Sequence, residues 1–307
     1  MLQSMKALSL ILLLVAATTA CAGESLELQY TNFGRLILTP FVSAPFPHPS
    51  RAEGHKYQDK VFSAADHYSD GTVALFIPKN FHETARVDFV VHFHGWKNSV
   101  TGTLRGFQLI EQFVASGKNA ILIVPEGPRN APDSSGGKLE DPEGFRKFMD
   151  EVIVTLQQRA GFKRKKFSIG RIILSGHSGG YQVMAGILDR GGLPKSVKEV
   201  WLFDALYAAT DKFLAWSDRT HGRLLNIYTD HGGTKAESEA MMALLRKRGT
   251  PFLAAEESQL TPTALKSKRL VFIHTDLPHN DVVAKRNEFC LFLKTSVLGD
   301  RQKNSPP

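Results

Sequence analysis

The hydrophobic positions of this chain fall into short, continuous runs separated by longer stretches of mixed character. Seven such runs, rich in β-branched residues, occupy residues 72–77, 87–93, 120–124, 171–174, 199–203, 224–228 and 270–273. Apolar runs of this length, several of them closed by proline or glycine, are typical of strands buried on both faces. Because such strands belong to a parallel sheet between helices, the pattern predicts an α/β fold.

The stretches between these runs show the spacing of amphipathic helices. Residues 104–116, 181–188 and about 281–298 are predicted to be helical, and the clearest pattern lies in residues 143–159. There the apolar side chains recur every three or four positions, at Phe145, Phe148, Met149, Val152 and Leu156. Residues 26–70 contain closely spaced prolines and are predicted to be irregular.

The sequence Gly176-His177-Ser178-Gly179-Gly180 joins one predicted strand directly to a predicted helix. A serine on such a sharp strand-to-helix turn presents its hydroxyl as a nucleophile, and its neighbours must be small enough for close backbone approach. Gly176 and Gly180 meet this requirement, and Gly179 offers an unobstructed backbone N–H beside the hydroxyl. The pattern predicts Ser178 as a catalytic nucleophile.

Polar residues follow several of the predicted strands at their carboxyl ends, where active sites of parallel sheets lie. They are His94-Gly95-Trp96, Glu126, Ser178, Asp204, Asp230 and His279. A serine nucleophile needs a base that an acid orients, and His279 is the predicted base. Asp230 and Asp204 both give the chain order Ser…Asp…His. The glycine-bearing turn after Asp230 favours it as the acid, with Asp204 as the alternate.

The remaining strand-end residues suggest how a substrate is held. The backbone N–H of Trp96, together with that of Gly179, is predicted to bind an oxyanion. Residues expected to contact substrate are His94, Gly95, Glu126, His177, Tyr181 and Tyr207. A zinc site at His92 and His94 is the rival interpretation, but no third ligand follows nearby. The sequence therefore predicts neither a metal nor an organic cofactor.

Composition and charge are those of a globular protein. The 307 residues are 42% hydrophobic and 22% charged, which is ordinary for one globular domain. The net charge is +8, and the densest basic patch is residues 163–166. No aromatic residues alternate with that patch to stack bases, so a solvated turn is favoured and a nucleic-acid partner is not expected.

The first residues have the features of an export signal. Lys6 precedes an apolar run at residues 8–17, which is too short to span a bilayer comfortably. The small residues after it fit a cleavage site at residues 20–22, or a lipoprotein signal in which Cys21 becomes lipidated. Residues 1–21 are thus predicted to be a signal that directs export to the bacterial periplasm, cell envelope or medium. In the lipoprotein case Cys21 would attach the protein to a membrane. Residues 25–299 form one predicted domain, and residues 300–307 form a polar tail.

The chain resembles the α/β-hydrolase superfamily between about Thr72 and Leu298. The elbow at residues 176–180, the strand ending His94-Gly95-Trp96, and the late aspartate and His279 carry the resemblance. It implies an eight-stranded, mostly parallel sheet with helices on both faces and hydrolysis through an acyl-enzyme. In that family the acid often sits a few residues further along than Asp230. Relatives that shield the substrate insert a cap after the strand following the elbow, and residues 205–222 leave no room for a large one.

The function predicted from these features is that of an exported serine hydrolase acting on a carboxylic ester. An open cleft suits a small soluble ester or the end of a polymer. A serine peptidase or amidase acting on cell-wall or other extracytoplasmic peptides is the first alternative, and a non-catalytic binding protein on the same fold is the second. The oligomeric state does not follow from the sequence.

Overall fold

The computed structural model describes residues 25–164 and 166–301. The predicted signal segment with Cys21 lies outside the described residues, as do Lys165 and most of the predicted polar tail. The first two tail residues pair with the body of the protein. Asp300 forms a bridge with Lys118, whose Nζ lies 2.8 Å from the Asp300 carboxylate, and Arg301 donates its N–H to Gly117 O.

The described residues form a sheet between two layers of helices. The strands are β1 (Gly34–Pro40), β2 (His55–Tyr57), β3 (Lys60–Phe62), β4 (Thr72–Pro78), β5 (Arg86–Phe93), β6 (Ile121–Pro125), β7 (Ser168–His177), β8 (Val197–Phe203), β9 (Arg223–Thr229), β10 (Leu253–Glu256) and β11 (Leu270–Thr275). The helices are α1 (Leu26–Gln29), α2 (Ala64–His67), α3 (Val100–Gly106), α4 (Leu109–Ala115), α5 (Gly144–Arg159), α6 (Tyr181–Arg190), α7 (Thr210–Thr220), α8 (Lys235–Lys247), α9 (Pro262–Ser267) and α10 (Glu288–Thr295).

The main sheet has nine strands in the order β1-β4-β6-β5-β7-β8-β9-β11-β10. The seven strands from β6 to β10 in this order run parallel, and β4 and β1 extend the edge in antiparallel fashion. The α/β prediction is thereby confirmed, with one strand more than the resemblance implied. Strand β1 lies in the segment that was expected to be irregular, and it pairs along its whole length with β4.

Two helix predictions differ from the structure. The predicted helix at 104–116 is divided into α3 and α4, because Gln108 adopts a left-handed conformation with φ of 47°. The terminal helix begins only at Glu288, so that residues 276–287 form a loop of turns. This loop carries His279.

Buried side chains cover both faces of the sheet. Helices α5 to α8 pack on one face through residues such as Phe145, Met184 and Phe213. On the other face, α3, α4, α9 and α10 contribute residues such as Phe113 and Phe289. Between β8 and β9 the described chain contains α7 alone, which agrees with the absence of a large cap. Among the helices of the described residues, none has the length and apolar character needed to cross a membrane.

The order of the strands positions the site. The chain passes from β5 outward to β6 and then returns across β5 to β7, so β5 and β7 flank a topological switch point. At such a point the loops after the two strands separate in opposite directions and leave a crevice at their carboxyl ends. Residues 94–96 follow β5 and Ser178 follows β7, so both lie at this crevice.

Candidate active site

Ser178 occupies a strained turn between β7 and α6. Its φ is 52°, and it opens a short 3-10 turn over Ser178–Gly180 that leads into α6. A Cβ atom added at Gly176 would lie 2.6 Å from the Met184 methyl carbon, and one at Gly180 would lie 2.8 Å from Phe93 O. Position 180 must therefore be glycine, because the clash there is with backbone, whereas a side chain at position 176 would displace the end of Met184.

A buried carboxylate orients the ring of His279. The Nδ1 atom of His279 lies 2.5 Å from Oδ2 of Asp204, whose side chain is fully buried. Asp204 also accepts hydrogen bonds from Thr229 N–H at 3.2 Å, from Thr229 Oγ1 at 3.1 Å, and from the Thr234 hydroxyl. Burial would raise the pKa of Asp204, but the hydrogen bonds from His279 and Thr234 outweigh it and hold the pKa below its usual value. Asp204 therefore stays ionised beside the ring.

Asp230, the carboxylate favoured from the sequence as the acid, lies elsewhere. Its side chain is 41% exposed and pairs with Lys235 Nζ at 2.6 Å and with His274 Nε2 at 3.2 Å. It follows β9 and is partly exposed to solvent, whereas Asp204 follows the neighbouring strand β8 and hydrogen-bonds His279. The structure thus reverses the order of preference between the two acids.

Ser178 and His279 line one cleft of about 490 Å³. No hydrogen bond joins the Ser178 hydroxyl to the His279 ring within the described residues, and the hydroxyl interacts instead with that of Tyr207. The Tyr207 hydroxyl itself donates to Gly232 O at 2.6 Å. Catalytic hydrogen bonds are often long or poorly aligned before a substrate binds, so His279 remains a candidate base for Ser178.

His177, expected from the sequence to contact substrate, supports the loop that carries His279. Its Nε2 donates to His279 O at 2.9 Å, and the two rings lie 4.5 Å apart between centroids. Burial, with the neighbouring His279, lowers the pKa of His177 to about 4. A neutral His177 can therefore donate this hydrogen bond at neutral pH. The ring also borders the cleft, so positioning of His279 and contact with substrate are compatible.

His94 and Glu126, also expected to contact substrate, are buried beneath the loop that follows β5. His94 Nε2 accepts from Gly127 N–H at 3.0 Å and lies 3.0 Å from Glu126 Oε1, and Nδ1 lies 2.8 Å from Gly95 O. Glu126 in turn accepts from Val100 N–H at 3.1 Å. The two side chains fix the loop from below, and burial keeps them from a substrate.

Gly95, Trp96 and Gly179 converge beside the serine. A Cβ atom at Gly95 would lie 2.6 Å from Ser178 Cβ, and one at Gly179 would lie 2.7 Å from Trp96 Cδ1. The loop after β5 therefore packs directly on the elbow. These contacts place Gly95 and the Trp96 side chain against the elbow, so that Trp96 and Gly179, the two residues expected to bind an oxyanion, are neighbours.

A small cavity of about 200 Å³ adjoins the elbow. It is lined by Trp96, Ser134, Ser178, Gly179, Tyr181 and Tyr207. The indole N–H of Trp96 donates to Ser134 Oγ at 2.7 Å, and Tyr57 of the β2–β3 hairpin packs edge-on against the indole at 5.2 Å. Part of the proline-rich segment thus reaches the rim of the cavity.

The sequence did not single out Thr229, Thr234 or Ser134. Thr229 is the last residue of β9, so the strand-end criterion could have included it. Ser134 lies in the long loop after β6, where no periodic pattern marks a residue. The zinc alternative gains no support, since His92 Nδ1 lies 2.9 Å from Ser175 Oγ while His94 has other partners. Within the described residues, no group of three or more potential ligands is arranged for a metal.

Two carboxylates, Glu257 and Glu288, hold the loop that carries His279 through hydrogen bonds and ion pairs. Glu257 accepts from Thr275 Oγ1 at 2.5 Å and from the Arg286 guanidinium, which also contacts Asp276 at 2.8 Å. Arg286 N–H donates to both carboxylate oxygens of Glu288 at 3.1 Å. Burial and the hydrogen bond with Glu257 raise the pKa of Glu288 to about 8. Burial therefore favours the protonated form of Glu288 in the folded protein.

This raised pKa predicts a loss of stability in alkaline solution. Glu288 ionises near pH 4.3 when unfolded, so its contribution to stability is complete below that pH and is lost as the pH rises through about 8. Glu288→Gln, which mimics the protonated acid, should therefore lose several degrees less in Tm than the wild type between pH 5 and pH 9. Thermal unfolding at both pH values measures the difference. Glu239→Gln, at an exposed position of helix α8, should follow the wild type, and parallel behaviour of all three proteins would contradict the assignment.

Comparison with known proteins identifies the fold of this chain. No family model matches the sequence, and no curated protein matches it. Among solved structures, the chain is similar to the fluorophosphonate-binding serine hydrolase F of Staphylococcus aureus, with TM-score 0.50 and 11% identity, over 86% of this chain and 99% of that chain. It is also similar to a mutant of the feruloyl esterase module from Clostridium thermocellum complexed with sinapinate, with TM-score 0.51 and 8% identity, over 86% of this chain and 88% of that chain. At this identity the likeness shows the fold alone, and the chain has the α/β-hydrolase fold.

Proposed function

We propose that this protein is a serine hydrolase that cleaves a carboxylic ester, with Ser178 as nucleophile, His279 as base and Asp204 as acid. The proposal rests chiefly on the hydrogen bond of 2.5 Å between buried Asp204 and His279 Nδ1, because it directs the other ring nitrogen of His279 toward the cleft that Ser178 lines. The positive φ of Ser178 supports it, since an elbow holds the nucleophile in such a conformation. Two fold neighbours are a serine hydrolase and an esterase module, which agrees with this chemistry.

The reaction proceeds in two transfers of the acyl group. Ser178 Oγ attacks the carbonyl carbon while its proton passes to His279 Nε2, and Asp204 stabilises the imidazolium through Nδ1–H. The backbone N–H groups of Trp96 and Gly179 bind the oxyanion, each donor of this kind contributing about 10²–10³-fold to kcat. When the intermediate collapses, the ester C–O bond breaks and the alcohol takes the proton from His279. Water then repeats the sequence and releases the acid.

Covalent labelling of the purified protein with a fluorophosphonate probe tests the proposal. An activated serine should react, mass spectrometry should locate the adduct on Ser178, and Ser178→Ala should not be labelled. Labelling together with faster cleavage of anilides or peptides than of esters would favour the amidase alternative. A folded wild type that stays unlabelled would support the non-catalytic alternative.

Export remains a proposal that depends on the sequence of residues 1–21, because those residues lie outside the described part of the chain. The same holds for lipidation of Cys21.

A further inference from the structure

Two cavities of different character meet at Ser178. The smaller, of about 200 Å³, is walled by the rings of Trp96, Tyr181 and Tyr207, and the two tyrosine rings lie 5.8 Å apart. The larger, of about 490 Å³, shares Trp96 and Tyr207 with the smaller one. It differs because it is also lined by His279 and by the polar residues Lys97, Asn98 and Asn280, together with Phe107. An ester bound at Ser178 has two halves, so each cavity can receive one of them.

The position of the base decides which half enters which cavity. This step rests on the proposed function, in which His279 returns its proton to the oxygen of the departing alcohol. That oxygen must then lie within hydrogen-bonding distance of His279, which lines the larger cavity and not the smaller one. The alcohol half therefore occupies the larger cavity, and the acyl half occupies the small aromatic cavity beside Gly179.

Lys97 gives the alcohol cavity its charge. Its backbone is fixed, because φ is 55° and its N–H donates to Ala131 O at 2.9 Å. Its exposed ammonium forms no salt bridge within the described residues, and no carboxylate lines the cavity. Asp204, the acid behind His279, is fully buried and accepts hydrogen bonds from the ring and two threonines. The cavity thus has one uncompensated positive charge.

We propose that the preferred substrates are esters of a compact, apolar acid with an alcohol that carries an anionic group, and that Lys97 selects this group. The amide groups of Asn98 and Asn280 supply hydrogen bonds to the same half of the substrate. An exposed charge pair of this kind corresponds to a preference of about fivefold, screened by salt. Lys97 is thus a specificity residue and takes no part in the transfer of protons.

A pair of isosteric esters tests the charge preference. In 3-acetoxybenzoate and 3-acetoxybenzamide the acetyl group and the phenol ring are the same, and the leaving groups differ in charge. The ratio of their kcat/KM values, divided by the ratio of their hydroxide-catalysed rates, should be about five for the wild type at low salt. It should fall toward one in 0.5 M NaCl and in Lys97→Gln, and below one in Lys97→Glu. Lys198→Gln, which removes an exposed charge at the start of β8, should keep the wild-type ratio.

The outcomes separate this inference from the function on which it rests. A wild type that is labelled by fluorophosphonate but shows a ratio near one overturns the charge preference and leaves the hydrolase proposal intact. The same conclusion follows if Lys97→Gln keeps the wild-type ratio. A wild type that is neither labelled nor active on either ester overturns both proposals.

Discussion

Asp204→Asn is expected to lower kcat/KM for an ester by about 10⁴-fold, as replacement of a triad acid by its amide does elsewhere. The amide cannot hold His279 with Nδ1 protonated and Nε2 free, so the base is present in the wrong tautomer. It also cannot stabilise the imidazolium that forms when Ser178 loses its proton. Steady-state kinetics on a soluble ester measures the effect, with circular dichroism to show that the variant is folded.

Asp230→Asn is the matched control for this prediction. Asp230 has a partly exposed carboxylate whose partners are Lys235 and His274, so the variant should keep kcat/KM within about threefold. The opposite ranking, with Asp230→Asn inactive and Asp204→Asn active, would restore the preference drawn from the sequence and would sink the assignment of Asp204.

Gly95→Ala is expected to lower kcat by about 10²-fold or more. The new Cβ atom would lie 2.6 Å from Ser178 Cβ and 3.0 Å from His177 O, so the loop after β5 must move away from the elbow. A shift of about 1 Å there displaces the Trp96 N–H from the oxyanion and is costly for catalysis. The rate of fluorophosphonate labelling and kcat for an ester should fall together.

Gly106→Ala provides the comparison for this substitution. Gly106 ends α3 and also lines the larger cavity, but an added Cβ atom there would meet nothing within 4 Å. The variant should keep kcat within about twofold and should not lose stability. If Gly95→Ala were as active as Gly106→Ala, the close packing of the loop on the elbow would have no part in catalysis.

The local parts of the site could be predicted because each depends on neighbouring residues only. The strand, the small residues and the helix around Ser178 are contiguous, and His279 follows the last predicted strand. The choice between Asp204 and Asp230 depends on which side chain points under His279. That is set by the φ of 44° at Asp204 and by donors from Thr229 and Thr234, which lie at least 25 residues away.

The missed parts of the fold have a similar cause. Strand β1 has only two buried residues, Leu36 and Ile37, and pairing with β4 some 38 positions later makes it a strand. The hairpin that brings Tyr57 to Trp96 is short and largely polar, so no pattern in the sequence marks it. The burial of His94 and Glu126 follows from the course of the loops after β5 and β6, which the strand-end criterion cannot resolve.

The turn after β9 leaves space for the side chain of the proposed acid, Asp204. A Cβ atom on Gly232 would lie only 1.6 Å from Oδ2 of Asp204. Position 232 lies a few residues beyond the end of β9, which is where the resemblance places the acid of many relatives. In this chain the carboxylate belongs to Asp204, which follows β8. Gly232, after β9, has no side chain and so leaves room for it.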